Sequence, residues 1–327
     1  MDTNEKTIAL HSVPVRKMWD DKRYYSLSHY LKQTFGEKVY RLSLNGGMTC
    51  PNRDGTLDHC GCIFCSAGGS GDFAADPIQS VTQQLQQAKN LIQTKTDCHK
   101  FIAYFQAYTN TYADVSYLRN IYMEAIQAPD VVALSIATRC DCISDEILAL
   151  LVEINQIKPV WIELGLQTIH DSTHRLVRSG FTYACFLDTV QRLHSAHLTT
   201  IVHLILGLPG ETKDMMLSSI DAVADLPIDG VKLQLLHILK GTDLATFYME
   251  HPFPVFTFEE YCDFIPVCLT HLPQHIVIHR ITGDGPRNLL LAPTWSTNKK
   301  RVLNQINQNM RLLDNWQGKC FAPDRTT

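Results

Sequence analysis

Four cysteines fall inside one stretch, Cys50-Pro51-Asn52-Arg53-Asp54-Gly55-Thr56-Leu57-Asp58-His59-Cys60-Gly61-Cys62-Ile63-Phe64-Cys65. In a chain without secretory features, thiolates gathered this closely point to a metal or an iron-sulfur cluster rather than to disulfides. The stretch offers one tight knuckle, Cys62-Ile63-Phe64-Cys65, with Cys50 upstream and Cys60 a single glycine before Cys62. A four-iron cluster held by three thiolates keeps one iron open to a small ligand, whereas four thiolates saturate it. The structural alternative is zinc held by all four. Zinc ribbons, however, usually present two C-x2-C knuckles well apart, and here there is one. Spacing therefore favours a cluster over zinc and offers one cysteine too many. Cys98, Cys185, Cys262, Cys268 and Cys320 lie singly and Cys140 and Cys142 form a pair; lone cysteines in a reducing compartment are mostly small buried hydrophobes.

The chain has 327 residues, 45% of them apolar, enough for one large α/β barrel or two ordinary domains. Its beginning mixes Asp2, Glu5, Lys6, Arg16 and Lys17 with short apolar runs, which suits neither a signal peptide nor a membrane span and leads to the expectation of a cytoplasmic protein. A formal net charge of -4 argues against a broadly basic nucleic-acid surface but is compatible with a local basic patch.

The elements that must position the cysteine loop follow a strand-then-helix rhythm. Residues 1–38 read as a polar, aromatic-rich lead-in, with a short helix over Arg23 to Leu31 that caps another element. Val39 to Leu44 is a strand, and after the cysteine loop a helix is expected from about Asp76 to Gln93, opened by Asp76-Pro77 as N-cap and first turn. Phe101 to Phe105 precedes a helix near Asp114 to Gln127, and Val131 to Ala137 precedes one from Ser144 to Gln156. Val160 to Leu164 leads to helices at His170 to Arg178 and Tyr183 to Ser195. Thr199 to Leu206 leads to one at Thr212 to Ala224, and Val231 to Leu236 is a sixth strand. Six apolar runs alternating with helices predict parallel strands buried on both faces, short of the eight that close a full barrel. The run Ile276 to Ile281 and a last helix from about Thr297 to Leu313 remain to cover an open barrel edge.

Several segments together resemble the radical S-adenosylmethionine (SAM) superfamily, and within it the YhcC/YtqA group, near relatives of the Elongator catalytic subunit. They are Cys50-Pro51-Asn52-Arg53-Asp54-Gly55-Thr56, Tyr104-Phe105-Gln106-Ala107-Tyr108-Thr109-Asn110-Thr111-Tyr112, Trp161-Ile162-Glu163-Leu164-Gly165-Leu166-Gln167-Thr168, His203-Leu204-Ile205-Leu206-Gly207-Leu208-Pro209-Gly210-Glu211 and Ile281-Thr282-Gly283-Asp284-Gly285-Pro286. The superfamily's commonest spacing, C-x3-C-x2-C, is replaced here by eleven residues between Cys50 and Cys62, and the longer gap fits the YhcC/YtqA group. The resemblance implies a partial (β/α)6 radical SAM barrel spanning residues 39–240, with the lead-in before it and a C-terminal extension over 241–327 covering the barrel.

It further implies a [4Fe-4S] cluster on Cys50, Cys62 and Cys65, with Cys60 a spectator. The SAM contacts that it suggests are Phe64 beside adenine, Gln106 and Asn110 after the second strand, Ser135 and Arg139 around the third, Glu163 and Gln167 on and after the fourth, and Leu206 on the fifth. Arg139 has an ion pair with Asp141 as its competing role. Glu163 stands inside an apolar strand, where an isolated carboxylate is costly, so it requires a partner. His203, Gln234 and His237 are further polar groups in apolar runs.

The implied activity is reductive cleavage of SAM to a 5'-deoxyadenosyl radical that abstracts hydrogen from a substrate. It needs a reductant protein of flavodoxin or ferredoxin type. By the same resemblance the substrate is the side chain of a tRNA wobble uridine, with carboxymethylaminomethyl converted to aminomethyl. Lys22, Arg23 and Tyr24, or Lys299 to Arg301, would then form a basic and aromatic rim for RNA. The alternatives are a small-metabolite radical SAM enzyme and a zinc-stabilised binding module.

Overall fold

A computed structural model describes residues 15–322 apart from Ser70, Phe73, Lys95 and Asp284. Seven strands make one parallel sheet curved into a half-barrel: β1 (Val39–Leu44), β2 (Lys100–Phe105), β3 (Val131–Thr138), β4 (Val160–Gln167), β5 (Thr199–Leu206), β6 (Gly230–Leu235) and Val277–Arg280. Helix α1 (Leu27–Phe35) precedes β1, and helices α2 (Val81–Gln93), α3 (Val115–Gln127), α4 (Asp145–Asn155), α5 (Asp171–Val177), α6 (Tyr183–Ser195) and α7 (Lys213–Ala224) connect the first six strands. After β6 come a two-residue strand β7 (Ile238–Leu239), α8 (Asp243–Glu250), α9 (Phe258–His271), the seventh barrel strand β8 (Val277–Arg280), β9 (Leu290–Ala292) and α10 (Lys299–Leu312). The run assigned to edge covering is thus itself a strand, paired in parallel with β6.

The strands appear where apolar runs occur because both of their faces are covered. Outward residues such as Leu42, Phe105, Leu134, Ile162, Val202 and Leu233 pack under the helices in the main core. Side chains of period two then point inward, and they stack in three tiers. Val39, Ile102, Ala133, Trp161 and Ile201 form an apolar base, plugged by Leu27, Tyr30, Leu31 and Phe35 of α1. The lead-in helix therefore does cap something, namely the bottom of the barrel. It starts later than expected, at Leu27, because the Ser26 side chain accepts the His29 N–H and sets the N-cap there. Two residues along each strand come Arg41, Tyr104, Ser135, Glu163, His203 and Lys232. Two further on, Ser43, Gln106, Ala137, Gly165, Ile205 and Gln234 face an open cavity.

Two helix expectations are corrected. The helix placed at Asp76 begins at Val81, since Ser80 and Gln83 form a reciprocal capping box, while Asp76 Oδ1 accepts Ile78 N–H in a local turn. The sequence reading contained neither α8 nor α9. The second opens on its own Thr257–Glu260 capping box but carries Pro266 within it, a residue that argues against a helix interior. The free side of β8 is covered by the lead-in, whose Tyr25 carbonyl accepts from Ile278 N–H at 2.7 Å.

Candidate active site

A cavity of about 590 Å³ opens at the C-terminal ends of the strands, where parallel α/β barrels place their chemistry. The cysteine loop forms one wall. Cys50 O accepts from Arg53 N and Asp54 N at 2.8 and 3.2 Å, turning the chain back immediately after the first thiol. Asn52 is buried and its amide donates to Arg178 O at 2.7 Å, to Ser179 O at 3.0 Å and to Cys62 Sγ at 3.5 Å. Arg53 donates to Cys65 O and Ser66 O at 3.1 and 2.7 Å and lies over the Tyr108 ring. Ile63 exchanges backbone hydrogen bonds with Val177 and Leu244, fastening the knuckle to the α5 end and to α8.

Two glycines let this loop close. At Gly61, φ is +77° and a Cβ would stand 2.8 Å from Arg53 Nε; at Gly180, φ is also +77° and a Cβ would stand 2.5 Å from Asn52 Oδ1.

Cys50, Cys62 and Cys65 all line the cavity. A hydrogen bond shared with Cys65, and after it burial, push the Cys62 thiol well up. Cys60 does not line the cavity; it is exposed, on the side facing Arg178. Among the described residues no three His, Cys, Asp or Glu side chains converge as around one ion. Three thiols spread around one cavity suit the separate corners of a four-iron cluster, with room beside them for a further ligand, so the donor set fits that group.

Of the other expected contacts, Phe64, Gln106, Arg139, Glu163 and Gln167 line the same cavity. Arg139 is buried and also keeps its competing role. It makes a two-pronged pair with Asp141 at 2.9 and 2.6 Å and donates to Ser179 O at 2.6 Å. Burial works against its charge, but Asp141 outweighs burial and raises the guanidinium's pKa. Gln167 sits at φ +67°, beyond a bulge in the β4–β5 pairing. With its amide turned to donate, it reaches Leu166 O at 2.8 Å and Gly165 O at 3.2 Å.

Three residues are not brought to the cavity surface. Leu206 packs outward in the core, because strand alternation gives the inward place to Ile205. Asn110 is fully buried and donates to Ala137 O at 2.8 Å. Ser135 is buried behind Glu163 and donates to it at 2.8 Å.

The partner that Glu163 requires is a set of four. Its fully buried carboxylate accepts from Ser135, from Arg41 at 3.0 Å, from His203 Nε2 at 2.9 Å and from Lys232. Lys232 also donates to Tyr104 OH at 3.3 Å, and Arg41 reaches across to His279 Nδ1 on β8 at 2.8 Å. Burial opposes ionisation of Glu163, but Lys232, then Arg41 and His203, outweigh it and hold the carboxyl well below its usual range. Burial and then Glu163 raise the Tyr104 phenol. Burial, with Arg41 and Arg280 nearby, pulls Lys232 down to about 7 in spite of Glu163.

Arg41, Tyr104 and Lys232 were not among the site residues expected from the sequence. The signal that would have found them is a polar residue at the same inward position in six consecutive strands.

His203 yields a pH prediction. Burial, then Lys232, lowers it to about 4, against an ordinary 6.5. Between those values the unfolded chain binds a proton that the folded chain refuses, so acid favours unfolding. Stability is whole above about pH 6.5 and falls by up to about 3 kcal/mol as pH drops to about 4. Denaturant titrations of the metal-free protein at pH 7 and 4.5 should show this loss, and His203→Gln should shrink it; an equal slope in the variant would remove His203 as its source.

The expected RNA rim is corrected in part. Arg23 is held by Asp314 at 2.7 Å and by Met310 O at 3.1 Å, which ties the lead-in to α10, and Tyr24 is buried, so neither faces a ligand. Lys299, Lys300 and Arg301 are exposed at the start of α10. Asp284, in the last of the segments that carry the resemblance, lies outside the described residues. No helix among the described residues is long and apolar enough to cross a membrane.

Comparison with known proteins agrees with this geometry. The radical SAM superfamily matches residues 49–223, and the radical SAM C-terminal domain matches residues 228–311. The chain is 42% identical over 301 residues to the uncharacterized protein YtqA of Bacillus subtilis, covering 92% of this chain and 94% of that protein. It is 38% identical over 270 residues to protein YhcC of Escherichia coli, covering 82% and 86%. A more distant similarity, 27% identity over 173 residues, links 51% of the chain to 31% of the tRNA uridine(34) acetyltransferase of Methanocaldococcus infernus. The solved structure of the archaeal Methanocaldococcus infernus Elp3 shares the fold, with a TM-score of 0.64 at 17% identity over 85% of this chain and 64% of that one. On these matches the chain belongs to the radical SAM superfamily, and it is an enzyme of the class that works with a [4Fe-4S] cluster and SAM.

Proposed function

We propose that Cys50, Cys62 and Cys65 hold the cluster and that the cavity beside them takes SAM and the reacting end of the substrate. The observation that carries this reading is that three of the loop's four thiols line one cavity while Cys60 stands outside it. When bound, the cluster and SAM supply reductive cleavage to methionine and a 5'-deoxyadenosyl radical able to abstract hydrogen.

The chain's part is to orient and to exclude water. Phe64 offers an aromatic face, Gln106 and Gln167 offer amides, and Arg139, already fixed by Asp141, offers a rigid cation at the wall. Asn110 and Ser135 support that wall from behind, and Ile205 supplies the apolar contact expected of its neighbour Leu206. Glu163 anchors the cavity floor. An electron is required from a reductant, for which a flavodoxin or ferredoxin type is the fitting partner.

For the substrate, the similarity to a tRNA uridine(34) acetyltransferase favours the side chain of a tRNA wobble uridine; the reaction proposed there is carboxymethylaminomethyl to aminomethyl, with SAM as the net oxidant and water releasing the two carboxymethyl carbons as glyoxylate. The test has two stages. Anaerobic protein with dithionite and SAM should yield 5'-deoxyadenosine, and none would refute the radical chemistry. Wobble-uridine nucleosides from cells with and without the gene should differ, and an unchanged profile would refute the tRNA substrate.

A further inference from the structure

We propose that the floor of the cavity is a receptor for a carboxylate carried by the part of the substrate that enters the barrel, with Lys232 as the residue that recognises it. This rests on the reading that substrate occupies the cavity. Charge and donor count support it. Around one carboxylate, Glu163, stand the cations of Arg41 and Lys232 together with donors from Ser135 and His203. Glu163 is thereby fully engaged, and the middle tier carries one positive charge more than negative whenever Lys232 is protonated. Unbalanced buried charge is costly, and an incoming anion relieves it.

Further donors line the cavity beside them. A lysine ammonium has three N–H groups; those of Lys232 serve Glu163 and Tyr104, while the residue lines the cavity at 2% exposure. Gln234 lines the cavity two residues further along β6, and Arg280 is the register partner of Lys232 on β8. The other acid lining the cavity among the described residues, Asp72, accepts from Ser66 beside the cysteine loop. The floor is therefore rich in donors and has its single acid already engaged. The lowered proton affinity of Lys232 agrees, since burial and two neighbouring cations cause it and an anion would reverse it. The carboxymethylamino group of the proposed wobble nucleoside presents such a carboxylate.

The test compares ligands before variants, so it survives a poorly folding mutant. Anaerobic holoenzyme is assayed with tRNA bearing wobble carboxymethylaminomethyluridine and with the same tRNA whose carboxylate has been converted to the primary amide. The amide should raise KM at least about tenfold, the usual worth of a charged hydrogen bond, with kcat less affected. Lys232→Met should erase the preference, Lys232→Arg should restore part of it, and affinity for SAM should stay unchanged in both.

Calorimetry with iminodiacetate and its diamide, on holoenzyme without tRNA, gives an answer independent of the nucleic acid. Wild type should bind the diacid and Lys232→Met should not. If no tRNA is turned over while iminodiacetate still binds through Lys232, the tRNA reading fails and the receptor stands. Equal binding of diacid and diamide, an undiminished preference in Lys232→Met, or loss of SAM binding in that variant would overturn the receptor.

Discussion

Single replacement of Cys50, Cys62 or Cys65 by alanine is expected to give a colourless anaerobic preparation that forms no 5'-deoxyadenosine, whereas Cys60→Ala stays brown with about four irons per chain. The expectation follows from where the loop puts its sulfurs. The two turns at Cys50 and the Asn52 amide bring Cys50 and the knuckle to one wall, while Gly61, at its left-handed φ, lets the backbone swing between Cys60 and Cys62. Cys60 is left in solvent. Iron and sulfide analysis together with the electron paramagnetic resonance signal of the reduced protein measure the outcome. A colourless Cys60→Ala protein, or an intact cluster in any of the other three variants, would break the assignment.

Glu163→Gln should be the most damaging substitution outside the cysteine loop, costing about 3–5 kcal/mol in urea titrations of the metal-free protein. The wild-type carboxylate is ionised at neutral pH because Lys232, Arg41 and His203 outweigh its burial. An amide removes the counter-charge and leaves the half-buried Arg41 and the buried Lys232 without one. The same pairing sets a sign with pH. A carboxyl held below its ordinary value stabilises the fold above about pH 4.5 and loses that contribution as acid takes the pH through the folded value. Ser135→Ala, which removes one neutral donor to the same oxygen, should cost only about 1 kcal/mol. Were the two variants equally mild, the charges would not be coupled as the geometry indicates.

Much of the barrel was legible because its signals are local. Val39–Leu44 and Thr199–Leu206 are bounded as their apolar runs suggest, and the Ser144 cap begins a helix through its bond to Ile147 N–H. The Asp76-Pro77 start failed because two capping signals competed within five residues and the reciprocal Ser80–Gln83 box prevailed. The seventh strand of the barrel was misread as a cover for lack of any local feature showing whether Val277–Arg280 pairs with a neighbour or lies across an edge.

The polar tier was less legible for a different reason. Glu163, His203 and Gln234 drew attention as polar residues in apolar runs, yet Lys232 lies in the same run as Gln234 and Arg41 in the first strand, and both passed unnoticed. One strand alone does not reveal which of its faces turns inward.

By itself, the sequence determined the cysteine loop, the alternation of strand and helix, and the family resemblance, since each depends on residues close together in the chain. Only the tertiary structure decided that Cys60 stands outside the cavity lined by Cys50, Cys62 and Cys65, that Ile205 and not Leu206 faces that cavity, and that Arg41, Glu163, His203 and Lys232 meet. Those meetings depend on parallel register and on the curvature that carries β1 toward β8. Strand alternation then turns every second side chain into one shared interior of low dielectric, where charges far apart in sequence act strongly on one another.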